Sequence, residues 1–307
     1  MIETDGLTKR FGNVAAVDGV NLNVSEGEVF GFLGPNGAGK TTTVRMLCCL
    51  ISKTSGEARI GGYRVGNEAD SLKIRKMIGL VPDNVGLYES LSAYRNLEVY
   101  AKLYGSSDAR MKENIQRLLV MLGLWDKKDD AAGTFSKGMK QKLAIARALV
   151  HDPQLLFMDE PTANLDPEAA KTVRDFIIDL KKERRTIFLN THNLDEAQRI
   201  CDRIAILNTK LMATGTPSEL EKMVGSRKVV IVLEEVSDAV RQVLEEQFKP
   251  PEISYDGARL TMLVDEPDKR LPDIVSAAVR AGGRITAASV VGSTLEDTYL
   301  RLVRREA

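Results

Sequence analysis

Residues 34–41, GPNGAGKT, constrain the fold of this chain more than any other stretch. They follow the apolar run 29–33 and precede residues 42–50, which read as a helix. Strand, glycine-rich loop and helix in that order are what a phosphate-binding loop requires. Gly34, Gly37 and Gly39 open backbone conformations closed to other residues, so that successive N–H groups can turn inward on phosphate oxygens. The helix that follows presents its positive end to the same anion. Lys40 can reach the β- and γ-phosphates as a point charge, and Thr41 is placed to ligate the accompanying Mg2+. Thr42 offers a second hydroxyl. A glycine pattern this loose arises by chance in about one chain in a hundred of this length, and the flanking strand and helix lower that further. The expected nucleotide-binding residues are therefore Gly34, Pro35, Asn36, Gly37, Ala38, Gly39, Lys40, Thr41 and Thr42.

A chain of 307 residues exceeds one typical domain and suggests about two. Its 43 basic and 43 acidic residues cancel, which argues against nucleic acid as the main partner. No run approaches the roughly 18 apolar residues that span a bilayer, and the start, MIETDGLTKR, lacks the apolar core of a signal peptide. A soluble cytoplasmic protein is expected. Cys48, Cys49 and Cys201 have no metal-ligand spacing and read as reduced, buried thiols.

Residues 2–29 alternate in short runs broken at Gly6, Gly12, Gly19 and Gly27, which predicts an antiparallel layer of short strands. Phe11 sits on the first turn, where its ring either packs or stacks on a nucleotide base. Residues 56–65 read as a hairpin, and residues 78–81 as a buried strand ending at Pro82. Asp83 follows, at a strand end where α/β proteins collect polar site residues, although a turn-forming Asp would look the same.

Residues 92–104 and 110–122 carry apolar side chains at helical spacing and predict a helical insertion. Next comes FSKGMKQKLAIARALV, in which Ser136 and Gly138 stand just ahead of an amphipathic helix and Ser136 can cap it.

Residues 154–158 form a buried strand ending in Asp159 and Glu160. Two carboxylates beyond a hydrophobic strand must be solvated, paired or metal-bound. Asp159 suits Mg2+ beside a phosphate loop, and Glu160, turned the other way, suits a base that polarises the attacking water. Asp166 precedes the predicted helix 167–182, with Pro167 well suited to its first position. The apolar run 186–189 ends near His192, which beside a phosphate site can sense the γ-phosphate; a structural histidine is the ordinary alternative. Residues 204–207 read as the final strand of the main domain.

From about residue 225 the pattern changes. Strand 228–233, helix 237–248, strands 253–255 and 259–264, helix 271–281, strand 284–291 and helix 294–303 follow in turn. The order βαββαβ is that of a small ferredoxin-like unit. It holds no histidine, cysteine or glycine-rich loop, which points to interaction or regulation.

Taken together these pieces resemble the ATP-binding subunit of an ABC transporter, from the first residues to about 224. The GPNGAGKT octet, FSKGMKQ before a helix, LLFMDEPT, ANLD and THNLDEA occur in the family's order and approximate spacing. The resemblance implies an α/β P-loop NTPase of ABC type, with a parallel core sheet, an N-terminal antiparallel β layer and a helical subdomain at about 84–150. Domain one would be 1–224, and a small C-terminal α+β ferredoxin-like domain would follow over 225–307. It also implies roles: Phe11 stacks on adenine, Lys40 acts on the phosphates, Asp159 and Thr41 hold Mg2+, and Glu160 is the catalytic base. His192 is the switch histidine and Asp166 the D-loop acid. Ser136, Lys137, Gly138 and Met139 form the signature that contacts the γ-phosphate bound by an opposite subunit. ATP and Mg2+ are the implied cofactors. A second cassette (a copy of this chain in preference to a sister) and an integral membrane permease are the implied partners, with this chain on the permease's cytoplasmic face.

The signature reads FSKGM where the family's commonest form is LSGGQ, a variant similar to the exporter branch. The tail segment ASVVGSTLEDTYLRL looks like the tails of that branch too. Asp83 stands where the Q-loop glutamine normally follows VP; Asn84 next door could supply an amide instead. Two other activities fit the sequence less well. A soluble ABC ATPase acting on ribosomes or DNA usually resembles two fused cassettes or one split by a long coiled coil, and neither pattern occurs here. A binding-only cassette would lack the base or the signature serine, and Glu160 and Ser136 are both present.

Overall fold

The computed structural model describes residues 1–223, 228–292 and 294–304. It divides into two compact units, Met1–Pro217 and Ser218–Ala307. The division expected at 224/225 lies outside the described residues.

In the first unit β1 (Ile2–Phe11) and β2 (Val14–Val24) pair antiparallel, and β3 (Val29–Leu33) leads through the phosphate loop into α1 (Lys40–Leu47). The helix thus begins two residues earlier than the sequence suggested, with Lys40 already in its first turn. Strands β4 (Ser55–Ile60) and β5 (Tyr63–Arg64) complete a four-stranded layer of order β2-β1-β4-β5. The expected short runs are in fact two long strands. Gly6 and Gly19, both at positive φ, sit where the β1–β2 register shifts, so these glycines mark bulges rather than strand ends.

Helix α2 (Glu68–Met77), β6 (Ile78–Val81), α3 (Ala93–Leu103), α4 (Asp108–Met121), α5 (Lys137–Leu149) and β7 (Leu155–Asp159) come next. They are followed by α6 (Pro167–Lys182), β8 (Thr186–Thr191), α7 (Leu194–Ile200), β9 (Arg203–Asn208) and β10 (Lys210–Gly215). The second sheet has the order β10-β9-β3-β8-β7-β6. All its pairs are parallel except β10 with β9, an antiparallel edge that the sequence reading stopped short of.

Every residue of β3, β7 and β8 is buried, as expected of parallel strands covered on both faces. Phe188 meets Phe30, Phe32 and Phe157 at centroid distances of 5.7, 5.1 and 5.4 Å, so the core lies directly beneath the strand ends that carry the site. Caps fix the helix starts. Ser92, Ser136 and Asp166 each accept a backbone N–H in the first turn of α3, α5 and α6, and Pro167 opens α6.

Helix α8 (Pro217–Met223) starts where the two units divide. The second unit continues through β11 (Lys228–Leu233), α9 (Asp238–Phe248), β12 (Glu252–Asp256), β13 (Arg259–Leu263), α10 (Pro267–Arg280), β14 (Ile285–Val291) and α11 (Leu295–Arg304). Its sheet is wholly antiparallel, with the order β12-β13-β11-β14. This is the ferredoxin-like arrangement that the βαββαβ order predicts. Val229, Ile231, Leu260 and Met262 pack with Val240, Leu244 and Ile274 of the two helices into a separate core. Thr298 of α11, fully buried, donates to the Leu220 carbonyl of α8 at 2.9 Å.

Candidate nucleotide site

The phosphate loop leaves the C-terminal end of β3, the end at which open α/β sheets bind ligands. Its glycines are required for different reasons. A Cβ on Gly34 would stand 2.3 Å from the Leu207 carbonyl oxygen. One on Gly39 would stand 2.1 Å from the Ala16 carbonyl oxygen, and Gly39 also has φ +95°. Gly37 has φ +83° and no atom close to where a Cβ would sit, so there the demand is conformational only. The Thr209 N–H donates to the Ala38 carbonyl at 3.0 Å, and the Thr209 carbonyl accepts from Asp18 at 2.9 Å. The β9–β10 turn thereby holds the loop and is itself held by β2.

Lys40 is buried and folds back over the loop, donating to the carbonyls of Gly34 at 2.7 Å and Pro35 at 3.1 Å. Burial lowers its pKa, while the nearby charges of Glu160 and Asp159 act the other way. Thr43 closes the first turn of α1 by donating to the Gly39 carbonyl at 2.9 Å.

Strands β7 and β8 bring in the carboxylates. Asp159 ends β7, opposite Asn190 of β8, and its Oδ1 accepts from the Asn190 side-chain amide. Its side chain is also hydrogen-bonded to Thr41. Burial pushes the Asp159 carboxyl above its usual range, the charges of Asp83 and Glu160 add to that, and the hydrogen bonds from Thr41 and Asn190 oppose it. Glu160 follows in a left-handed conformation, φ +53°, with its N–H on the Asn190 carbonyl at 2.8 Å. Its Oε2 lies 2.8 Å from His192 Nδ1. A non-glycine residue at positive φ is strained, and it persists here with its N–H and its carboxylate both held.

These groups share one cavity of about 280 Å³, lined by Ala16, residues 36–42, Asp83, Asp159, Glu160 and Asn190. Asp83 lies at its exposed edge and accepts the Asn84 N–H at 2.8 Å; Asn84 does not line the cavity. Gly34 and Pro35 contribute the carbonyls that hold Lys40. Phe11, at the end of β1, is 55% exposed, with the Lys9 ammonium 5.0 Å from its ring centroid, and is not among the lining residues.

The signature residues lie elsewhere on the first unit. Ser136 and Lys137 are exposed, and Ser136 Oγ accepts the Met139 N–H at 3.2 Å. A Cβ on Gly138 would stand 2.7 Å from the Ala169 Cβ, and Asp166 Oδ1 accepts the Ala169 N–H at 2.9 Å. Ser136, Lys137, Gly138, Met139 and Asp166 thus gather where α5 and α6 begin, and none of them lines the cavity of their own chain.

Sequence reasoning missed Asn190, Ala16 and Thr209. For Asn190 a signal existed: a polar amide closes the apolar run TIFL, two residues before His192, and the predicted strand was ended just short of it. Ala16 and Thr209 act through backbone atoms, for which no side-chain pattern exists.

The parallel sheet, the loop at its C-terminal edge and the carboxylates converging on that loop define a P-loop nucleotide-binding protein. Residues 17–163 match the ABC transporter family model. The bacitracin transport ATP-binding protein of Bacillus licheniformis is 40% identical over 99% of this chain and 97% of its own length. The Nod factor export ATP-binding protein I of Rhizobium sp. (strain N33) is 37% identical over 99% of this chain and 97% of that protein. A dimeric ATP-binding cassette solved in a post-hydrolysis state with ADP and Pi covers 70% of this chain and 98% of its own, with TM-score 0.65 and 27% identity. The chain belongs to the ABC transporter family. Within it the chain is an ATP-binding, ATP-hydrolysing subunit of the exporter branch.

Proposed function

We propose that this chain binds ATP with Mg2+, closes head to tail on a second copy of itself with two nucleotides between them, hydrolyses ATP there, and passes the motion to a separate membrane permease that exports a substrate. The observation that carries the proposal is the seating of Glu160. Its backbone is bonded to Asn190, its carboxylate faces His192 at 2.8 Å, and it borders the same cavity as Lys40 and Asp159. A base so placed can take a proton from water at the γ-phosphate, with His192 orienting it. Lys40 and the loop amides offset phosphate charge. Phe11 offers its exposed ring to the adenine.

Among the described residues no three carboxylates, imidazoles or thiols converge into an all-protein metal cage. Mg2+ beside a nucleotide needs none, because it keeps waters and phosphate oxygens and takes only one or two oxygens from protein. The Thr41 hydroxyl bonded to the buried Asp159 carboxylate at the cavity fits that requirement. When bound, the ion would offset charge on the β- and γ-phosphates.

The start of α5, with Ser136, Lys137, Gly138 and Met139, would meet the γ-phosphate held by the other subunit, and Asp166 would link the two sites. The segment 83–98 with the helical subdomain would receive the permease. No helix among the described residues is long and apolar enough to cross a membrane; in this proposal the path across the bilayer belongs to the permease and the chain lies peripherally on its cytoplasmic side. The ATP-binding domain spans 1–224, and the ferredoxin-like domain, 225–307, stabilises the dimer.

The test is ATP hydrolysis by the purified chain as a function of its concentration, with Glu160→Gln beside it and light scattering in ATP. A rate rising more steeply than linearly, and an inactive mutant trapped as an ATP-bound dimer, are expected. A flat, negligible rate without a dimer would overturn the homodimeric site.

A further inference from the structure

Asn190 is fully buried beside both carboxylates, and three of its polar groups are divided among different tasks. The side-chain amide donates to Asp159 Oδ1. The backbone carbonyl accepts the Glu160 N–H at 2.8 Å. The side-chain oxygen is buried and has no hydrogen-bond partner in the protein. Rotating the amide would not rescue it, because that would set a carbonyl against a carboxylate with only acceptors on both sides. Buried acceptors are nearly always satisfied, so an orphan in a residue that lines the nucleotide cavity calls for a donor from the cavity contents.

We propose that Asn190 positions the hydrolytic reaction: its amide fixes Asp159 by one oxygen and leaves the other to Mg2+, while its side-chain oxygen receives a hydrogen of the attacking water. This rests on the function proposed above. A water that gives one proton to Glu160 has a second O–H to place, and two acceptors together orient its lone pair on the γ-phosphorus. As the new P–O bond forms, the bond from phosphorus to the β–γ bridging oxygen breaks. One proton goes to Glu160, and the other stays on the product phosphate with its hydrogen bond to Asn190. A neutral acceptor suits this place because Asp83, Asp159 and Glu160 already bring three carboxylates to the cavity. Asn190 therefore meets the metal-holding acid through its side-chain amide and the base through its backbone carbonyl.

The test uses the full chain with Asn190→Ala and Asn190→Ser, reading three quantities: affinity for a fluorescent ATP analogue without metal, the Mg2+ concentration that half-maximally changes that affinity, and kcat. Asn190→Ala should leave metal-free affinity unchanged, raise the Mg2+ requirement about tenfold and lower kcat about 10- to 100-fold, the usual cost of losing an outer-shell partner. Asn190→Ser keeps a hydroxyl donor for Asp159 but not the reach to the water, so it should recover the Mg2+ requirement while kcat stays low. An Asn190→Ala chain with wild-type Mg2+ requirement and kcat, whatever its melting temperature, would overturn the role. If the alanine variant fails to fold, Asn190→Ser decides the matter, and an undiminished kcat there overturns the contact with water. A wild-type chain that neither responds to Mg2+ nor hydrolyses ATP would overturn the proposed function together with this role; normal wild-type turnover with an indifferent Asn190→Ala would overturn this role alone.

Discussion

Gly138 and Ala169 meet across the starts of two helices: a Cβ built on Gly138 would lie 2.7 Å from the Ala169 Cβ. The first turn of α5 therefore rests on the first turn of α6, whose capping residues are Ser136 and Asp166 respectively. Gly138→Ala should cost about 1–3 kcal/mol, the usual range for overpacking, and should abolish the ATP-driven dimer in a Glu160→Gln background. Urea unfolding and light scattering measure the two effects separately. A variant as stable and as dimeric as the parent would show that the helices can part at no cost.

Gly39→Ala and Gly37→Ala form a second pair. At Gly39 the new methyl would collide with the Ala16 carbonyl at 2.1 Å and the residue would be held at φ +95°, so nucleotide affinity should fall by more than about 30-fold, or 2 kcal/mol. Gly37→Ala meets no atom and bears only left-handed strain, about 1–2 kcal/mol. Titration with a fluorescent nucleotide should rank the two in that order.

Asp83→Gln removes a charge that helps push the Asp159 carboxyl up. With that charge gone the Asp159 pKa falls, so the ionised form persists to lower pH. Turnover should rise severalfold, roughly 1 kcal/mol in the barrier, and the acid limb of the rate profile should move down in pH. Rates measured across pH and Mg2+ concentration check this, and identical profiles would place the Asp83 side chain outside the reaction.

His151 predicts a pH dependence of stability. Its ring stacks on Tyr104, with centroids 3.7 Å apart, and its Nε2 lies 2.9 Å from the Ile78 carbonyl oxygen. Burial lowers its pKa, and Nδ1 is buried with no hydrogen-bond partner. Above the unfolded value, near 6.5, neither state holds the extra proton; below it the unfolded chain binds a proton that the folded chain refuses. Stability should therefore fall as pH drops from about 6.5 towards the folded value, at no more than about 1.4 kcal/mol per pH unit. Urea midpoints between pH 7.5 and 5 should show this slope in the parent and a shallower one in His151→Gln.

The sequence showed what depends on local pattern. The octet, the Asp159–Glu160 pair beyond an apolar strand, the cap at Ser136 and the helix start at Pro167 all announce themselves in side-chain type and order. Helix α2 was missed because half of Glu68–Met77 is charged and it buries only Ile74, with Leu72 left exposed, so it lacks a clear apolar stripe. Strand β10 was missed because KLMATG buries only Ala213 and Gly215. Glycines within β1 and β2 read as breaks because a bulge and a turn make the same demand on φ. The Glu160–His192 contact joins residues 32 apart in sequence, and only strand pairing brings them together.

The hold of Thr209 on Ala38, and the Ala16 carbonyl standing where a side chain of residue 39 would be, make the phosphate cradle a joint product of three remote stretches of chain. The octet is consequently not a portable module. Transplanted into another α/β scaffold without a strand in the place of β2 and a turn in the place of β9–β10, the same eight residues would keep their composition and lose their shape.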